Sequence, residues 1–517
     1  MAAIITDQIR ILNAKNFISG ISTSENSYYV FVGLPNPESI QSDWDTNPPA
    51  PKDNFDEENK YWDTMIALKK ITSSDVRQVI QKRVWTAGTT YDYYRHDYSR
   101  SNVAPVSGAT SLYSSSFYVL NSDYRVYICL QNGTDPNNPK GKPSLDEPTF
   151  VDLEPRAAGT SGDGYIWKYL YTIKPSDIVK FESTNFMPVP QNWESSLDTS
   201  AVRSNAVDGS IKIVTITNSG VGVGTANKTY TRVPIKGDGT GAECTIVVNN
   251  DQQVESIIVS NQGSGYTYGI VDLVSGNVPT GSIRPTFDVI IPPKGGHGYD
   301  IYRELGAYNV LLYSRIENDS ENPDFITGNQ IARVGVIENP QQFGSNQKLV
   351  SDKASSTYAI KLTGVGYSSA SFTPDSLITQ TVGTGITASG RVINYDSNTG
   401  VLKYWQDRTL AGFTTVGAAQ TNPQYGFDLV EFTSNPLPGG SLVITGNSGS
   451  SLSISTSFTG ISTIINSRTY YLGQSFVNGL ANPEVKKYSG NIVYVDNRPA
   501  ITRSSNQKED IKVILQF

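Results

Sequence analysis

Along this 517-residue chain apolar side chains recur mostly at every second position, the spacing that lines one face of a β-strand. The final seven residues, IKVILQF, do so through Ile511, Val513, Leu515 and Phe517. A terminus this apolar is expected to be buried, and its four large side chains would then contribute at most about 6–12 kcal/mol. Helical spacing is confined to the first third. Asp53 and Asp56 open a predicted helix reaching about Lys70, with Tyr61, Met65 and Leu68 on one face. A second is predicted from Ser73 or Ser74, whose hydroxyl would cap it while Val76, Val79 and Ile80 share a face. A third, of one or two turns, follows Pro175 in KPSDIVKF. Everything else reads as strand and turn, so the predicted class is mainly β.

Two blocks differ in style from the rest. Between about 205 and 290 Gly, Thr, Val and Ile dominate, and Ile211–Gly222 repeats at an offset of 43 residues in Val254–Gly265, with Asn218, Gly220 and Gly222 falling on Asn261, Gly263 and Gly265. Each copy reads as a strand ending in a glycine turn, and two copies are too few for a propeller or solenoid. The block is predicted to be a small β-rich inserted domain. The second, about 366 to 466, is rich in Ser, Thr and Gly and poor in charge, and recurring Val, Ile, Tyr and Trp favour a folded β-domain over a solvated linker. Its sharpest element is a hairpin, RVINY at 391–395 and VLKYWQ at 401–406, joined by DSNTG, whose Asn and Gly suit left-handed backbone.

Length predicts three or four structural units. With 41 Lys and Arg against 48 Asp and Glu, a net charge of −7, the chain lacks the cationic excess that neutralises phosphates, which argues against nucleic acid as a partner. Two His and two Cys in the whole sequence exclude zinc fingers, His-rich or Cys-rich metal cages and a disulfide framework; Cys129 and Cys244 read as buried thiols. No apolar run approaches the roughly 18–20 residues of a membrane span, and Asp7, Arg10 and Lys15 interrupt the place of a signal peptide. Synthesis in a cytoplasm is the expectation.

Motifs for chemistry are weak. Gly295–Arg303, GGHGYDIYR, fits one calcium-binding nonapeptide with Asp300 as ligand, but that site needs stacked tandem copies, so a turn is the better reading. His297 has no second His or Cys at ligand spacing. GDGTG at 237–241 and GSGYTYG at 263–269 lack the following helix that would hold a phosphate. No catalytic, metal or cofactor residue is assigned, and neither an enzyme activity nor a small-molecule substrate is expected. Aromatic clustering is the more physical signal. Trp85, Tyr91, Tyr93, Tyr94, Arg95 and Tyr98 crowd one stretch, and Trp, Tyr and Arg dominate interface hot spots. These six are the candidate interface; the plain alternative is a partly buried strand and loop, and a carbohydrate platform is a third reading.

GDGYIWKYLYTI at 162–173, VYVDNRPAITRSSNQKEDIKVILQF at 493–517 and VIQKRVW at 79–85 resemble, in that order along the chain, the gene product eight family of baseplate wedge proteins in T-even-like contractile-tailed bacteriophages. The resemblance covers about 1–200 and 467–517. It implies a β-sandwich-based structural virion protein, present as a homodimer that contacts neighbouring wedge proteins and moves as a rigid body when the baseplate rearranges and the sheath contracts. It implies no cofactor and no catalytic residue. The family has Pro and Arg where this chain has Gln81 and Lys82, and it lacks the two blocks. The expected organisation is therefore a body at 1–204, 291–365 and 467–517 with inserted β-rich domains at 205–290 and 366–466. The rival is a tail-associated glycan-binding or polysaccharide-degrading protein, which would need two carboxylates about 5–10 Å apart in a deep aromatic cleft.

Overall fold

A computed structural model describes residues 5–517 apart from 24–25, 195–199, 318–324, 326, 407–412, 415–418, 422–427, 448 and 505–506. The protein is mainly β, and its chain divides into two compact units: Met1–Ile18 with Val76–Leu312 and Val513–Phe517, and Ser19–Asp75 with Tyr313–Lys512.

In the first unit, strands Tyr118–Leu120, Arg125–Asn132 and Tyr165–Thr172 form an antiparallel sheet whose inner faces are almost entirely aromatic and aliphatic. Beside it Val76–Gln81 pairs with Phe186–Pro188 and with residues 309–312. This corrects the second predicted helix. Only Ser73–Asp75 makes a turn of 3-10 helix; Val76, Val79 and Ile80 are β-branched residues with backbone partners on both sides, and they take the strand. The helix after Pro175 is present as Pro175–Phe181, with proline in its first turn. Helices Asp7–Ser22 and Ile301–Leu305 were not expected. In the former, Ile9 and Leu12 are exposed while Ile11 and Ala14 are buried, so apolar residues ring the helix and blur its period.

Residues 211–291 of this unit pack around a core of their own. Val254–Ser264, Thr240–Val248, Thr229–Gly237 and Gly269–Val271 form one sheet in that order, and Thr286–Val289 pairs with Val214–Asn218. The two repeat copies are related by a local twofold. Ile211 N–H donates to Gln262 O and Val254 N–H to Ser219 O, both at 2.9 Å, and each bond maps onto the other by the 43-residue offset. Val223 to Gln252 and Tyr266 to Gly209 form a second such pair. Asn218 and Asn261 each accept from the glycine two residues on, Gly220 and Gly263. The second copy departs from expectation in one respect: its strand continues through Gly263 to Ser264.

Glu154 ties this segment to the aromatic sheet's side of the unit, accepting from Lys212 at 2.8 Å, Gln262 at 3.0 Å and Asn205 at 3.0 Å. Burial opposes its ionisation, but these donors outweigh it and hold the pKa at about 2. A folded value below the unfolded one, about 4.3, stabilises above that pH and is lost as pH falls towards 2. Because the carboxylate is half exposed, the contribution stays below about 1 kcal/mol. Glu154→Gln should flatten the acid limb of stability against pH by that amount; an unchanged limb in urea titrations between pH 5 and 2 would count against this bond.

In the second unit, Lys353–Ser355, Met65–Ile71, Tyr28–Gly33, Gln330–Glu338 and Asn491–Thr502 form a five-stranded sheet in that order. The predicted helix from Asp53 to Lys70 is corrected here. Phe55–Thr64 is helical, capped by Asn54, whose side chain accepts from Glu57 N–H at 2.9 Å, but Met65–Ile71 is a strand with partners on both edges. Tyr61, Met65 and Leu68 are all buried, so their helical spacing arises from two different elements. A larger sheet runs Val401–Trp405, Ile386–Asp396, Leu377–Gly383, Val443–Gly446, Ser451–Ile454, Tyr358–Thr363 and Leu480–Ala481. Val401–Trp405 also pairs with Tyr358–Thr363, closing six of these strands on themselves around a common core. The predicted hairpin lies in it, with Arg391 opposite Trp405 and Asp396 opposite Val401. Gly400 supplies the left-handed position, while Asn398 donates its N–H to Asp396. Part of the charge-poor block falls outside the described residues. The terminal strand is also corrected: Val513 is buried, whereas Ile511, Leu515 and Phe517 are half-buried, so its contribution lies well under the fully buried bound.

Candidate functional site

The six candidate interface residues lie in the first unit, and the fold divides them. Tyr91, Tyr93 and Tyr94 are within the aromatic core, between 3% and 5% exposed. Trp85, Arg95 and Tyr98 are half-buried. Tyr91 meets Trp167 edge-on at 5.9 Å, its N–H donates to the Tyr165 hydroxyl at 3.0 Å, and Tyr165 donates on to Lys142 O at 2.7 Å. Tyr165 and Trp167 stack at 5.3 Å. Tyr94 packs edge-on to His297 at 4.7 Å. These rings fix the loop from within.

Asp92, fully buried, is the residue that sequence reasoning passed over. One carboxylate oxygen accepts from Val106 and Ser107 N–H at 2.9 and 3.3 Å, the other from Ser116 N–H and Oγ at 3.0 and 3.1 Å. A carboxylate between tyrosines, in a stretch with many turn residues ahead, is the signal that could have marked it. Arg95 grips Asp97 with two bonds of 2.8 Å and reaches Asp288 at 2.8 Å; the Arg95 hydrogen bonds hold the Asp97 carboxyl below its usual range. Tyr98 donates to Tyr93 O, and Trp85 Nε1 donates to Ser144 Oγ.

The motifs that carry the resemblance have structural work of the same kind. In GDGY, Asp163 accepts from Leu145 and Tyr165 N–H at 2.9 and 3.0 Å. Gly164 is left-handed at φ 85°, and a Cβ there would lie 2.7 Å from Gly133 Cα. Gly164→Ala should therefore cost about 2–4 kcal/mol from left-handed strain and overlap, measurable as a thermal midpoint shift of several degrees. A shift under 1 °C would show that this approach is not tight. In VIQKRVW, Gln81 O accepts from the Tyr118 hydroxyl, and Arg83 lies over the Tyr118 ring at 4.9 Å. In the second unit Asn497 of the Asn-Arg-Pro motif accepts from Arg333 at 3.1 Å and donates to Pro49 O at 2.9 Å.

The nonapeptide-like segment is a turn and a helix start. Asp300 caps Ile301–Leu305, accepting from Arg303 N–H, and His297, buried, contacts Glu304 at 2.5 Å. No cluster of three metal-ligating side chains occurs among the described residues, and none of their helices is long and apolar enough to cross a membrane. Cys129 and Cys244 are buried free thiols; burial pushes both pKa values up, that of Cys244 to about 12. A cavity of about 460 Å³ in the second unit is lined by Glu38, Asp45, Asp375, Trp44 and Trp405 among others. Two of these acids are engaged: Asp375 accepts from Glu38 N–H and pairs with Arg391, and Asp45 accepts from Ala500 N–H. Both tryptophans are buried, and the Trp44 indole donates to Arg498 O.

Charged and aromatic side chains at each place the sequence singled out hold loops and strands in position, which is the character of a structural protein. Residues 3–152 match the family model Phage-Gp8, described as Bacteriophage T4, Gp8. Over 220 residues the chain is 26% identical to the baseplate wedge protein gp8 of Enterobacteria phage T4, covering 38% of this chain and 62% of that protein. Both matches are to the family that the sequence resembles, and the chain spans about three fifths of the length of that T4 protein.

Proposed function

We propose that the chain is a structural subunit of a phage tail baseplate wedge, located in the virion, assembled in the host cytoplasm and acting as a dimeric scaffold. It would join neighbouring wedge proteins and move as a rigid body during baseplate rearrangement. The supporting observation is where the signature residues sit. Asp163, Gly164, Tyr165 and Asn497 are all spent on internal bracing, as is Asp92 outside the signature motifs, which yields stiff bodies whose function is shape. Of the candidate interface, Trp85, Arg95 and Tyr98 keep partial exposure and are the residues proposed to meet a partner. The segments 205–290 and 366–466 are proposed as modules added to the wedge-protein body.

A twofold dimer needs a self-complementary patch, expected to exceed about 1,600 Å² in a permanent assembly. The mass of the purified chain in solution tests the reading. A stable dimer that enters a larger complex with wedge proteins is expected, whereas a monomer that cleaves polysaccharide would favour the rival.

A further inference from the structure

We propose that the cavity beside Trp44 in the second unit receives an arginine side chain from a basic segment of a partner protein. The inference deepens the joining role proposed above, and rests on it only for the partner being a protein.

The cavity, of about 460 Å³, lies within the range of roughly 300–1,000 Å³ typical of ligand pockets. One wall comes from residues 34–45, inside the stretch that matches the family model, and another from 374–405, in the second proposed module. The first wall is fixed in advance. Trp44 is buried and its indole donates to Arg498 O at 2.8 Å, Asn36 Oδ1 accepts from Arg333 at 2.6 Å, and Pro49 O, just beyond, accepts from Asn497 at 2.9 Å.

The lining asks for donors. It includes Glu38, Asp45 and Asp375 and no Lys or Arg. Asp375 pairs with Arg391 from outside the lining. Among the described residues the Asp45 carboxylate meets only the N–H of Ala500, and the Glu38 carboxylate has no hydrogen bond or ion pair. Asn329 is an independent sign. It belongs to the same lining and is 2% exposed; its Nδ2 donates to Gln330 O at 3.1 Å, while its Oδ1 accepts from nothing. A buried acceptor without a donor is rare in a folded chain, and the lining has no cation to supply one.

Charge and shape select the occupant. Residues 36–60 carry seven Asp and Glu against two Lys, a net −5 within a chain of −7. That field draws a basic segment and gives a neutral ligand nothing. An ammonium is a compact point charge, whereas a guanidinium spreads five N–H donors over a plane and packs on indole faces. Trp44 and Trp405 both line the cavity. The chain already seats one guanidinium against Trp44, that of Arg333, 4.9 Å from the ring centre.

Isothermal titration of the full chain with a blocked Gly-Arg-Ser-Arg-Gly peptide tests this. Binding is expected, and Glu38→Gln with Asp45→Asn should raise the dissociation constant at least about tenfold. The thermal midpoint should stay unchanged, because an amide oxygen at position 45 can still accept from Ala500 N–H. Asp43→Asn with Asp53→Asn removes the same charge outside the cavity and should change the constant less than about threefold. The lysine counterpart of the peptide should bind at least about threefold more weakly. No binding, equal losses in the two double variants, or a lysine peptide as tight as the arginine one would overturn the inference. Binding of maltohexaose that Glu38→Gln with Asp45→Asn abolishes would overturn it in favour of a glycan. The joining role fails separately, if the chain enters no complex with wedge proteins.

Discussion

Arg333→Ala is expected to lower the unfolding free energy by about 3–5 kcal/mol, the largest single-residue effect anticipated in this chain. Arg333 is fully buried in the strand Gln330–Glu338. Its Nε donates to Asn497 Oδ1, Nη1 to Leu34 O and Thr64 Oγ1, and Nη2 to Asn36 Oδ1. The guanidinium lies 4.9 Å from the Trp44 ring centre and 5.4 Å from that of Tyr61. Burial pushes its pKa down to about 10, so it remains charged at neutral pH, solvated by neutral oxygens and aromatic faces in place of water. Truncation strands those acceptors in a dry site and leaves a void. Arg333→Lys should cost nearly as much, because an ammonium cannot reach four acceptors in one plane. Urea unfolding checks this through the midpoint at constant slope; a loss under 1 kcal/mol would mean that the acceptors find other donors.

Asp92→Ala should be nearly as damaging, at about 3 kcal/mol or more, since one carboxylate serves three backbone N–H groups and a hydroxyl in the core. The effect should be local before it is global. The amides of Val106, Ser107 and Ser116 are expected to exchange with solvent much faster in the variant, and Asp92→Asn should fall between, because its NH₂ faces a donor. Unchanged protection at these amides would show that the loop holds its form without the carboxylate.

Much of the β architecture could be read from residue patterns because period two, turn chemistry and repeats are local signals. The hairpin around DSNTG and the helix at Pro175 are legible for that reason. The 43-residue repeat was visible as well, although its twofold arrangement was not, since Ile211 and Gln262 meet only in space. Failures cluster where burial is decided by distant partners. Val76–Gln81 and Met65–Ile71 carry helix-compatible spacing, but each gains strand partners far away in the chain. Helix Asp7–Ser22 was hidden by apolar residues on all sides. In the aromatic stretch at 85–98, composition cannot distinguish a ring that faces a partner from one that faces Trp167. Arg333, one cation inside the apolar run of ARVGVIE, was the overlooked sign of a buried bracing group.

The account stands on this chain being a shaped part whose absence stops assembly. Electron microscopy of lysates from a host infected with phage lacking this gene tests that directly. The prediction is incomplete baseplates and no tailed infectious particles, restored by supplying the protein in trans. Normal, infectious virions assembled without it would contradict the account.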